Sequence, residues 1–265
     1  MTPRGIVIVS GTGTGVGKTV VTAAVATLAL ARGDRVAVVK PAQTGTTQGS
    51  YTEKSVNVAA RQRPTFTDPP DATVPPDATD PPDAETVRRL SGVTDIHELS
   101  RFPDPLSPEA AARVSGLPPL DLAAAAEYIA RLAGSRDLVL VEGAGGLLVR
   151  YDEAGSTIAD LAAMLRAPVL VVVAAGLGTL NHTALTLESI AARRLRLAGV
   201  VIGSWPNDPG LAERENLADL ETVTGAPLAG LLPEGSGSLP RDEFRAVALH
   251  GLGRGLGGSR EARDR

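Results

Sequence analysis

The stretch GIVIVSGTGTGVGKTVV, residues 5–21, decides how the rest of the chain is read. A short β-rich apolar run, Ile6–Val9, leads into Gly11-Thr12-Gly13-Thr14-Gly15-Val16-Gly17-Lys18-Thr19, and a helical pattern follows over Thr19–Ala31. A glycine-rich turn between a strand and a helix N-terminus aims main-chain N–H groups at a phosphate chain. In that setting Lys18 reaches the β- and γ-phosphates as a point charge, and the Thr19 hydroxyl is a Mg²⁺ ligand. Five residues separate Gly11 from Gly17, one more than the standard phosphate-loop spacing. A dinucleotide fingerprint would need glycine at position 16, where valine stands, so that reading fails.

Further short apolar runs repeat the pattern. Val36–Val39, Leu138–Val141, Val169–Ala174 and Gly199–Ile202 read as buried strands, with Leu228–Leu232 a weaker sixth. They are continuous rather than alternating, as parallel strands covered on both faces should be. Helical segments fall near Leu120–Leu132, Ile158–Leu165, Thr183–Arg194 and Leu211–Thr222. The alternation predicts an α/β fold, a doubly wound, mostly parallel sheet of P-loop NTPase type with helices on both faces. One domain is expected over residues 1–250. It is interrupted at 46–82 by TTQGSYTEK and the six-residue repeat PPDATV-PPDATD-PPDAE, whose paired prolines deny helix and sheet hydrogen bonding. The Gly- and Arg-rich end, residues 251–265, is expected to be a flexible tail.

Composition narrows the function. The chain has 265 residues, 43% of them hydrophobic and 21% charged, enough for a full core. A net charge of −4 argues against a nucleic-acid or anionic-membrane surface. With no cysteine, a thiolate metal site and a cysteine nucleophile are both excluded. The longest apolar run, Ala167–Ala175, falls short of the roughly 20 residues a membrane helix needs. Ile6–Val9 is too short for a secretory signal, so a soluble cytoplasmic protein is expected. Of the 26 basic residues only Lys18, Lys40 and Lys54 are lysine. Lys54 reads as a chance survivor, whereas Lys18 and Lys40 fall where a planar guanidinium does not substitute for a compact ammonium.

Lys40 ends the second strand, in VVKPAQTG at 38–45. Ligands of open α/β sheets sit outside the carboxyl ends of the strands, so Lys40 reaches the same phosphates from the neighbouring strand. As a strand-end cation it is expected to support no core. Leu138–Val141 runs into Glu142-Gly143-Ala144-Gly145-Gly146, which places a carboxylate where a Mg²⁺ ligand is needed. Asp83, at the expected N-cap of a helix beginning AETVRRL, is the third acid, with Asp71 and Asp77 in the same PPDA setting as competitors.

Together these pieces resemble one family, the dethiobiotin synthetases: GTGTGVGKT at 11–19, VVKPAQTG at 38–45, VEGAGGLLV at 141–149 and LGTLNH at 177–182, in family order. The resemblance implies an ATP- and Mg²⁺-dependent ligase that joins CO₂ to 7,8-diaminononanoate and closes a cyclic urea. It implies that Gly15, Val16, Gly17, Lys18, Thr19 and Val20 wrap the triphosphate, and that Thr19, Asp83 and Glu142 hold the metal. Lys40 and Lys18 then serve the chemistry, and Thr44 contacts substrate. Glu142, Gly143, Ala144 and Gly145, with the turn Leu232-Pro233-Glu234, would line the nucleotide. Where many members carry an Asn-Asp pair that reads adenine this chain has Gly203-Ser204, which leaves the choice among nucleoside triphosphates open. Members are homodimers, and the Gly178–His182 turn would present main-chain N–H groups to a carboxylate near the subunit interface.

Two other readings share the phosphate loop. A cobyrinate-type amide synthase draws ammonia from an attached cysteine-dependent glutaminase, for which this chain has no residue. A partition or positioning ATPase carries a lysine early in the loop, where Thr12, Gly13 and Thr14 stand.

Overall fold

The computed structural model describes residues 2–45 and 82–261. Residues 46–81, which hold most of the proline-rich interruption expected to lack regular structure, lie outside the described residues, as do residue 1 and residues 262–265; the end of the repeat, from Pro82, is described and leads into a helix. Seven strands form one sheet: β1 (Gly5–Gly11), β2 (Val36–Gln43), β3 (Ile96–Arg101), β4 (Leu138–Glu142), β5 (Val169–Val173), β6 (Leu197–Trp205) and β7 (Gly230–Pro233). Their order is β3-β2-β4-β1-β5-β6-β7, and every pairing is parallel. The helices are α1 (Lys18–Ala31), α2 (Asp83–Ser91), α3 (Pro108–Ser115), α4 (Leu122–Ala133), α5 (Ile158–Leu165), α6 (Thr179–Ala192), α7 (Leu211–Thr224) and α8 (Arg241–Gly251).

Handedness explains the layers. From β1 the chain steps through α1 and α2 toward one edge, then returns through α3 and α4 and continues through α5, α6 and α7 toward the other. Right-handed crossovers in opposite directions put their helices on opposite faces. Accordingly Val21, Val25, Val87, Leu90 and Phe244 form one buried layer, and Ile129, Ile158, Leu161, Ile190 and Leu220 form the other. The direction reverses at β1, so the carboxyl ends of β1, β2 and β4 meet at a topological switch point, the usual ligand crevice of such sheets.

Several expectations need correction. β3 was not foreseen, because IHELSR is polar; it lies at the sheet edge and pairs only with β2. α3 was missed although Pro108 follows the Ser107 cap, the ordinary signature of a helix start. α6 begins at Thr179, so the Gly178–His182 stretch is a left-handed N-cap followed by the first helical turn. The expected flexible tail is folded through most of its length: Leu252 and Leu256 are buried in the α1–α8 layer. Main-chain bonds from Gly253 to Ala229 (2.8 Å) and from Ser259 to Leu249 (2.7 Å) fasten this end. Apolar burial outweighs the glycine content there. Leu252→Ala is expected to lower stability by about 2–5 kcal/mol, read as a shift of the urea midpoint; an unchanged midpoint would show that this end packs against nothing. Among the described residues no helix is long and apolar enough to cross a membrane.

Candidate active site

At the switch point four side chains from four elements form one connected group. Lys40 of β2 places its Nζ 2.6 Å from Asp83 Oδ2 and 2.9 Å from Glu142 Oε1. It also donates to the Gly143 carbonyl at 3.3 Å. The Thr19 hydroxyl, in the first turn of α1, lies 2.9 Å from Asp83 Oδ1 and 2.8 Å from Glu142 Oε1. Lys18, one residue earlier, folds back so that its Nζ donates to Gly13 O at 2.7 Å, the position a phosphate would otherwise claim.

Electrostatics binds the group together. Lys40 is buried, and burial alone would lower its pKa; Glu142 and Asp83 more than offset this, and the net direction is upward. Burial would likewise raise Asp83, but the charge of Lys40 and hydrogen bonds from Lys40 and Thr19 hold its carboxyl below the usual range. Lys18 goes the other way. Burial first, and the like charge of Lys40 second, lower it to about 8.

The oxygens of Thr19, Asp83 and Glu142 are hard donors drawn to one point, the set that Mg²⁺ takes together with phosphate oxygens. Among the described residues no group of three or more His, Cys, Asp or Glu side chains is gathered. Two carboxylates and a hydroxyl, not three acidic or imidazole groups, are what the site gathers around Lys40.

Asp83 is not the cap of α2. Pro82 holds that position, and Asp83 is the first helical residue with its side chain turned to Lys40 and Thr19. Gly203 lies directly against the glycine-rich loop. A Cβ there would stand 2.1 Å from Val16 O and 3.0 Å from Gly17 Cα, so Gly203 is the floor on which the phosphate loop rests. The contact is reciprocal, since a Cβ on Gly17, which sits at φ +92°, would stand 2.6 Å from Gly203 O. Ser204, one residue on, is exposed. Leu232 is wholly buried in the core, so only Pro233 and Glu234 of that turn face solvent. Thr44 directly follows β2, four residues beyond Lys40. Gly15, Val16, Gly17 and Val20 lie along the loop and first turn as expected, and Gly143, Ala144 and Gly145 follow β4 beside them.

One neighbour went unnoticed in the sequence. The hydroxyl of the fully buried Tyr151 accepts the Ala144 N–H at 2.8 Å. A lone aromatic after a glycine turn carries no periodic signal by which to find it.

Comparison with known proteins agrees with this geometry. The protein family described as an AAA domain matches residues 5–238. The chain is 55% identical over 257 residues to the ATP-dependent dethiobiotin synthetase BioD of Frankia casuarinae, covering 97% of this chain and 95% of that protein. With the protein of the same name from Streptomyces coelicolor it shares 49% over 257 residues, again 97% and 95% of the two. Among solved structures, the septum site-determining protein MinD of Pyrococcus horikoshii, complexed with Mg-ADP, superposes with a TM-score of 0.53 at 20% identity, over 97% of this chain and 95% of that one. That likeness extends to the fold alone. The phosphate loop, Lys40 and the carboxylate pair, set in a chain this close to its relatives throughout its length, place it: the chain belongs to the ATP-dependent dethiobiotin synthetase family.

Proposed function

We propose that this protein uses ATP to carboxylate 7,8-diaminononanoate with CO₂ and close the ureido ring of dethiobiotin, releasing ADP and phosphate. One amine of the substrate takes up CO₂ as a carbamate, the carbamate accepts the γ-phosphoryl group, and the second amine attacks the carbonyl and expels phosphate. No protein nucleophile is needed, so the task is to hold two amines in place and to meet negative charge with fixed cations. The observation that carries this reading is the placement of Lys40 at the phosphate loop, in Coulombic reach of Lys18 and held between two carboxylates.

Each residue then has a defined task. Main-chain N–H groups of Gly15–Val20 cradle the phosphates. Lys18 leaves Gly13 O for the β- and γ-phosphates, whose negative charge favours its ammonium form. Lys40 faces the carbamate and the transferring phosphoryl group. Thr44, at the same strand end, orients the diamine. Thr19, Asp83 and Glu142 would hold Mg²⁺, which would neutralise phosphate charge. Gly203 has no side chain to read a base, so any side-chain contact with it comes from the exposed Ser204, Pro233 and Glu234. We assign a homodimer as well: Leu177, 90% exposed before α6, and Leu148, 44% exposed after β4, are apolar residues that a second copy would cover.

The test is phosphate release from ATP with Mg²⁺ and bicarbonate, with and without 7,8-diaminononanoate, with the product identified by mass. Release that depends on the diamine, yields the cyclic urea and stops on chelation of Mg²⁺ is expected. Diamine-independent release would instead make this a switch ATPase. Running CTP and GTP alongside reports on base choice.

A further inference from the structure

We infer that Tyr151 is a positioning residue for the reaction, acting through the main chain of Ala144 rather than by touching substrate; the inference rests on the function proposed above. The argument begins with what the turn after β4 has to do. On one side, Gly143 O accepts from Lys40 at 3.3 Å. On the other, the turn lies against the phosphate loop: a Cβ on Gly146 would stand 3.4 Å from Thr12 O, and one on Gly145 would stand 3.7 Å from Thr14 Oγ1. Between these two contacts sits Ala144, whose N–H is taken by the Tyr151 hydroxyl at 2.8 Å. A glycine turn has more backbone freedom than any other sequence, so an anchor at its centre governs where both flanks lie.

The anchor itself is rigid. Tyr151 is fully buried, and its hydroxyl is taken up by the Ala144 N–H. Its main-chain N–H donates to Ser156 O at 2.8 Å, and the Ser156 N–H donates to Asp152 Oδ1 at 2.9 Å. Arg150 and Thr157 bridge the base of this small hairpin. Thr157 then caps α5, sharing a capping box with Asp160. A hydrogen-bonded path thus runs from a helix of the core, through the hairpin and the phenol, to the carbonyl that receives Lys40. A merely space-filling tyrosine would need only its ring.

Tyr151→Phe keeps the ring and removes the acceptor. The expected result is a kcat lowered about tenfold, since small displacements of an aligned charge lower rates steeply. The KM for ATP should stay within about twofold, and the thermal midpoint within about 4 °C. Hydrogen exchange at the Ala144 amide should quicken about tenfold or more while the amides of α5 keep their protection. Asp152→Ala, which loosens the hairpin from outside the core, should shift kcat and Ala144 exchange in the same direction by less. A Tyr151→Phe kcat within twofold of the parent, or unchanged exchange at Ala144, overturns the inference. A parent chain that makes no dethiobiotin overturns the functional reading instead, and the exchange measurement still decides whether the phenol holds the turn.

Discussion

Lys40→Ala is expected to lower turnover by about 10³-fold or more, the scale seen when a preorganised charge facing a transition state is removed. It should also destabilise the fold, contrary to what a strand-end position alone implies. Lys40 is buried with Glu142 and Asp83 as its partners. Removing the cation leaves two carboxylates facing each other across the Thr19 hydroxyl, Glu142 fully enclosed and Asp83 about one-third exposed. Stranding a buried charge lowers stability by roughly 3 kcal/mol, which for a domain of this size is roughly 10 °C in thermal midpoint. The measurement belongs in chelator-treated buffer, where no divalent ion can replace the lost charge. Adding Glu142→Gln to Lys40→Ala should recover most of the stability and none of the activity. A single variant as stable as the parent would mean that water, not protein, surrounds these groups.

The second large effect is expected from Gly203→Ala, a one-carbon change beneath the phosphate loop. The added methyl would meet Val16 O at 2.1 Å and Val172 Cγ1 at 2.6 Å. A main-chain carbonyl cannot swing aside as a flexible side chain can, so the phosphate loop itself has to lift. Overpacking of this kind destabilises by about 1–3 kcal/mol. The greater loss should fall on the nucleotide: a loop displaced by about 1 Å misplaces several N–H donors together, and affinity should fall on the order of 100-fold. Calorimetric titration with ADP reads this directly. The single tryptophan, Trp205, two residues along β6, offers a second signal through its emission. Unchanged affinity would show that the loop does not rest on Gly203.

The sheet and its phosphate loop were legible because their signals are local. Continuous runs of Val, Ile and Leu mark strands covered on both faces, and a glycine loop ahead of Lys18-Thr19 has few other uses. Lys18 and Thr19 follow from the glycine loop, and Lys40 and Glu142 from strand ends; the structure joins Thr19, Lys40 and Glu142 in one group and sets Lys18 beside it. Asp83 was located by adjacency to ordered-looking sequence, although its role as a cap was wrong by one residue. What stayed hidden depends on tertiary position. β3 reads as polar because one of its sides has no strand beside it. Gly203 reads as a missing amide until the loop above it is seen. The closing segment reads as loose because glycine suggests freedom, whereas Leu252 and Leu256 decide its fate.

That closing segment sets an order of events during synthesis. The phosphate loop leads into α1 near the start of the chain, yet the face of α1 that carries Val21, Val25 and Leu28 shares its buried layer with Phe244, Ala248, Leu252 and Leu256. Until those residues are made, α1 has its sheet and α2 to pack on but an uncovered apolar side where α8 and the segment after it belong. A chain stopped before α8 should therefore hold ATP more weakly than the whole one, since the helix that follows the phosphate loop depends on residues more than 200 positions further along for its cover.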